Sequence, residues 1–117
     1  MTDPVFSKQE RQQLLSIARS AIKATLNQEQ RKPLEKDQFP KHLTDELACF
    51  VTLTIHGRLR GCIGSLEAFR PLVDDVQDRA IQAAFEDYRF PPLTLSEFDQ
   101  LQIEISVLTK PENLNYN

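Results

Sequence analysis

Residues 48–64 constrain the fold more than any other stretch of this 117-residue chain. Ala48 to Ile55 (Ala-Cys-Phe-Val-Thr-Leu-Thr-Ile) is β-branched and aromatic and reads as a strand. His56-Gly57 reads as a turn, and residues 58–64 as the return strand. The return strand holds two of the chain's three glycines and one of its two cysteines, in Leu59-Arg60-Gly61-Cys62-Ile63-Gly64-Ser65. Rare residue types gathered between a strand and a following helical pattern mean that backbone geometry or chemistry is needed there.

Register decides which way these side chains point. A two-residue loop pairs Ile55 with Arg58 and Leu53 with Arg60, mixing arginines into the apolar face. A three-residue loop, Ile55-His56-Gly57, pairs Thr54 with Arg58, Thr52 with Arg60 and Phe50 with Cys62. Because a one-residue slip inverts every side chain, the hydrophobic pattern selects the second register, with Val51, Leu53, Leu59 and Ile63 on one face. Arg58, Arg60 and Cys62 are then expected to project together from the other face. Cys49 and Cys62 fall on opposite faces, which disfavours a disulfide between them.

The flanking segments follow from period and caps. Residues 7–26 predict an amphipathic helix opened by a Ser7/Glu10 capping box, with Leu14, Leu15, Ala18, Ala21, Ile22 and Leu26 on one face. Residues 27–45, with Pro33 and Pro40, predict a connector of little secondary structure, in which His42 is a solvated histidine without a partner. A second helix is expected after Pro71, with Leu72, Val73, Val76, Ala80, Ala83 and Ala84 as its stripe. Asp74, Asp75 and Asp78 read as its solvated face. In the loop 86–93, Tyr88, Arg89 and Phe90 either line a cleft or clamp the loop to the core. Thr94 and Glu97 form a second capping box. Residues 102–108 alternate, with Ile103, Ile105 and Val107 inward and Glu104 and Ser106 outward, as a half-exposed strand does. The order is helix, hairpin, helix, strand. It predicts an α+β fold whose antiparallel-containing sheet carries the hairpin and is covered on one face by two main helices.

Composition narrows the function. A net charge of −3 with scattered basic residues argues against a nucleic-acid partner. No apolar run approaches the roughly 18–20 residues that span a bilayer, and no signal peptide is visible at Met1-Thr2-Asp3-Pro4. Two cysteines make no disulfide framework, so a reducing cytoplasm is expected. His42 and His56 give no metal-ligand spacing, and no cofactor is indicated.

Cys62 is the candidate nucleophile, with Arg60 or the helix start near Pro71 as the cation or dipole that favours its thiolate. The alternative is a structural cysteine between glycines that allow close packing. Gly61, Gly64 and Ser65, with Arg60 and with Arg89 from the loop, are candidates for binding a small anionic metabolite. Strand packing is the competing account of the glycines.

Phe50-Val51-Thr52-Leu53, Leu59-Arg60-Gly61-Cys62-Ile63-Gly64-Ser65-Leu66, Arg70-Pro71-Leu72, Ala83-Ala84-Phe85, Asp87, Arg89-Phe90-Pro91-Pro92-Leu93 and Ile105-Ser106-Val107-Leu108 together resemble the AMMECR-one domain family. Its signature is Leu-Arg-Gly-Cys-Ile-Gly. The resemblance runs from about residue 48 to residue 112. It implies a single α+β intracellular domain over residues 1–117, and a domain that extends farther than this chain, so the C-terminal part is expected to be lacking. It implies a site at Arg60, Gly61, Cys62 and Gly64, and an association with Memo-like and radical SAM proteins. It assigns no reaction.

Overall fold

The computed structural model describes residues 6–30 and 33–108. Helix α1 spans Lys8–Leu26, α2 Lys41–Thr44, α3 Leu72–Phe85 and α4 Leu95–Phe98, and a 3-10 turn covers Lys36–Gln38. Strands β1 (Ala48–Ile55), β2 (Arg58–Gly64) and β3 (Leu101–Leu108) form one antiparallel sheet in the order β2-β1-β3. The fold is α+β, as the element order predicts.

Both capping boxes form. The Ser7 hydroxyl accepts the Glu10 N–H while the Glu10 carboxylate accepts the Ser7 N–H, and Thr94 and Glu97 do the same for α4. Helices α1 and α3 pack on each other and on one face of the sheet. Cys49, Val51 and Leu53 of β1 point into that layer and are fully buried with Ile22, Leu43 and Leu72. Each large aliphatic side chain among them contributes roughly 1.5–3 kcal/mol by burial. The opposite face carries Phe50, Thr52 and Thr54 from β1, Leu59 and Cys62 from β2, and Gln102 and Glu104 from β3, all exposed or half-buried.

The hairpin register differs from the expected one. The turn is the two-residue His56-Gly57, with positive φ at both centres (51° and 78°), as a type I′ turn requires. It pairs Ile55 with Arg58 and Thr54 with Leu59. The ladder then skips one residue: Leu53 pairs with Gly61, Thr52 with Cys62 and Val51 with Ile63. Arg60 is the extra residue of a β-bulge. Turn chemistry fixes the tip, and the bulge restores the apolar register beyond it. Leu59 is therefore 43% exposed rather than part of the core, and Arg60 leaves the alternation instead of projecting beside Cys62.

Two further expectations are corrected. The 27–45 connector is not featureless, because the 3-10 turn and α2 bury Leu43 completely. His42 has partners there: its Nδ1 lies 3.4 Å from Glu10 Oε2, and its ring meets Phe6 edge-on.

Candidate site at the signature strand

Gly61 sits where β2 comes closest to α3. A Cβ on it would lie 2.1 Å from the Ala83 carbonyl oxygen, which is backbone and cannot swing aside. Gly64 lies under the Phe50 ring, 2.3 Å from where its own Cβ would be. Close packing accounts for both glycines.

The bulge sends the Arg60 side chain into the loop between α3 and α4. Its Nε and Nη2 donate to the two Glu97 carboxylate oxygens, each at 3.0 Å, and Nη2 also donates to the Pro91 carbonyl at 2.9 Å. Phe90 meets two guanidinium groups, with Arg60 5.8 Å and Arg89 5.5 Å from its ring centre. This resolves the alternatives for the loop: Arg89 and Phe90 clamp, and Tyr88 stands 96% exposed. Glu97 serves its capping box and Arg60 together, and the Arg60 hydrogen bonds lower its pKa to about 2.

Cys62 has its backbone held by Asp87. The Cys62 N–H donates to Asp87 Oδ2 at 3.0 Å, and Arg89 Nη2 reaches the Cys62 carbonyl at 3.5 Å. Arg89 Nε and Nη2 in turn donate to Asp87 at 3.0 and 2.7 Å. The pair thus supplies one acceptor and one donor to an edge strand, which is what a neighbouring strand would supply. Asp87 is 4% exposed, and its carboxyl is held well below the usual range by Arg89 first, with the Cys62 N–H adding to it. The Cys62 thiol points to the half-exposed face, 3.3 Å from the Thr52 hydroxyl.

The helix start near Pro71 serves the other cysteine. Asp75 is 1% exposed, not part of a solvated face. Its carboxylate accepts the Cys49 N–H and thiol, both at 3.2 Å, and the Ser65 hydroxyl at 3.4 Å. Arg70 and Arg79 neutralise it at 2.8 and 3.2 Å. Burial first, and then Asp75, push the Cys49 thiol far up. Cys49 and Cys62 are free and lie on opposite faces, as expected.

The predicted site residues therefore divide. Cys62 and Arg89 come together; Arg60 and Ser65 belong to two separate networks around Glu97 and Asp75. Sequence reasoning did not find Thr52, Glu97 or Asp75 as partners. Asp87 carried a signal, an acid two residues from an arginine within the family-like segment. Among the described residues no three His, Cys, Asp or Glu side chains converge as a metal site, and no helix is long and apolar enough to cross a membrane.

A three-stranded antiparallel sheet with two helices on one face, and a glycine-bracketed cysteine strand at its edge, defines the class. The AMMECR1 family model matches residues 15–117, and the chain belongs to that family. It is 43% identical over 109 residues to a protein of Methanothermobacter thermautotrophicus, covering 93% of this chain and 56% of that protein. The Methanocaldococcus jannaschii protein MJ0810 is 40% identical over 88 residues, covering 74% of this chain and 44% of its own length. The crystal structure of the uncharacterized protein PH0010 from Pyrococcus horikoshii superposes with a TM-score of 0.83 at 36% identity, over 95% of this chain and 57% of that one. The chain spans about half the length of the curated relatives it matches.

Proposed function

We propose that this chain is a cytoplasmic binding module whose contact surface is the half-exposed sheet face around Thr52 and Cys62. One observation carries the reading: both arginines beside the signature are neutralised within the chain, Arg60 by Glu97 and Arg89 by Asp87. The surface they leave is made of the Phe50 ring, the Thr52 hydroxyl and the Cys62 thiol, with the exposed Glu104 opposite Thr52 on β3. Such a surface suits a macromolecular partner better than a small anion. The Memo-like and radical SAM proteins suggested by the family resemblance are the partners to try first. A pull-down with the whole chain tests this. Thr52→Lys should abolish capture while circular dichroism and melting stay those of the parent. Capture that survives Thr52→Lys, or no capture by the parent, sinks the reading.

A second reading rests on the thiol itself. Cys62 is half-exposed and faces a hydroxyl, so a small electrophilic or hydroxyl-bearing metabolite is its natural ligand. Under this reading Cys62→Ser loses ligand binding or turnover with the fold intact, and a metabolite screen by thermal shift finds a ligand for the parent alone.

A further inference from the structure

Residues 27–47 connect α1 to β1 and carry only the 3-10 turn and the short α2. In compact domains most connections are about 4–6 residues long, and those beyond about 12–15 are commonly functional. The connection leaves α1 through a Schellman turn. The Glu29 N–H donates to the Ala24 carbonyl at 2.8 Å, and the Gln28 N–H to the Thr25 carbonyl at 3.0 Å. Gln28 takes the left-handed position of that turn, with φ 60°, where glycine is the usual residue. The residue after it ordinarily packs an apolar side chain back on the helix. Here that residue is Glu29, and Ala24 and Glu29 both line an open cleft instead.

The cleft holds about 460 Å³ between α1 and the connection. Ile17, Ala21, Leu34 and Phe39 give it an apolar wall. Ser16, Ser20 and Ala24 recur along α1 at four-residue spacing, and their small side chains leave the room. The Thr25 hydroxyl on the same helix donates back to the Ala21 carbonyl at 3.0 Å. Among the described residues, the Ser16 and Ser20 hydroxyls make no such bond and stay available to the cleft. Glu29 is the only charged residue among those described along the cleft, and no described residue forms an ion pair with it.

We propose that this cleft binds a small organic cation, an apolar ring or chain that carries an amino group. Its volume lies within the roughly 300–1,000 Å³ of small-molecule sites, and an apolar lining with a few polar groups is their usual make-up. The wall of Ile17, Leu34 and Phe39 takes the apolar body. The ammonium group is complementary to the Glu29 carboxylate, and the serine hydroxyls offer acceptors for its remaining N–H groups. An anionic ligand meets only repulsion from Glu29. Because Glu29 is exposed, its charge adds up to about fivefold in affinity. Helix α1 covers the sheet face away from Thr52 and Cys62, so this inference is independent of the proposed contact through that face.

Titration of the isotope-labelled 117-residue chain with three probes of one shape, followed by amide NMR shifts, tests it. Phenethylamine should bind, with shifts centred on Ser16, Ser20, Ala24 and Phe39. Phenethyl alcohol should bind about fivefold more weakly, and phenylacetate more weakly still. Glu29→Gln should bring the amine down to the level of the alcohol. Ser20→Leu, at an exposed helix position, fills the cleft and should abolish binding of both. A chain that does not bind phenethylamine, equal binding of the three probes, or shifts centred elsewhere overturns the proposal. A preference for the amine that survives Glu29→Gln, or binding that survives Ser20→Leu, counts against it in the same way.

Discussion

Cys49 and Cys62 occupy neighbouring strands and receive the same backbone treatment, yet they end in opposite environments. Each donates its N–H to a carboxylate, Cys49 to Asp75 and Cys62 to Asp87. Each carboxylate is neutralised by arginine: Asp75 by Arg70 and Arg79, Asp87 by Arg89. The difference is the face. The Cys49 thiol points under α3 and donates to Asp75 as well, whereas the Cys62 thiol points to the Thr52 hydroxyl on the half-exposed side. An acid that holds a strand's backbone thus says nothing about thiol chemistry. Strand alternation and the Arg60 bulge decide which cysteine faces the half-exposed side.

The largest way to break this comparison is on the Cys49 side. Asp75→Ala leaves Arg70, Arg79 and the Cys49 N–H without their shared acceptor in the core. It should lower unfolding free energy by about 4 kcal/mol, read from the denaturant midpoint. Gly61→Ala attacks the close approach that lets Cys62 turn outward. Its Cβ meets the Ala83 backbone oxygen, so sheet and helix must separate, at about 3 kcal/mol in the same measurement. Asp87→Ala removes the corresponding acceptor on the Cys62 side. The loss should be about 2 kcal/mol, less than for Asp75, because water reaches the edge strand and half-exposed Arg89.

Acid sharpens the comparison further. The carboxyls of Glu97 and Asp87 both titrate below their ordinary values in the folded chain, through their arginine partners. A depressed folded pKa stabilises above the unfolded value and loses that contribution as pH falls through the folded one. Stability from Glu97 should therefore be complete above its ordinary 4.5 and decline as pH drops toward about 2. Glu97→Gln should flatten that part of the pH–melting curve, by under about 1 kcal/mol because the carboxylate is partly exposed.

Much of the fold was legible in the sequence because its signals are local. Ser7 with Glu10 and Thr94 with Glu97 mark helix starts, and the runs 48–55 and 102–108 carry the strand pattern. The register was not legible. The bulge is settled by the approach of Gly61 to Ala83 and by the bond from Arg60 to Glu97, 37 residues away. A two-residue His56-Gly57 turn is disfavoured in the sequence only because unbroken pairing would mix arginines into the apolar face, and the bulge at Arg60 removes that objection. Asp75 was misread because an acid near a helix start resembles a solvated one; its partner Cys49 lies 26 residues upstream. Of the candidate site, Cys62 and Arg89 were recoverable from residue type and neighbourhood. Thr52 was not, since only the true register sets it opposite Cys62.

Alkylation of the native chain, with each cysteine followed by mass spectrometry, tests most directly whether the signature strand turns one cysteine in and the other out. Cys62 should label first, and Cys49 should stay protected until denaturant unfolds the chain. Labelling of Cys49 at a rate equal to or above that of Cys62, or protection of both until unfolding, would contradict the register and the half-exposed placement of Cys62 together.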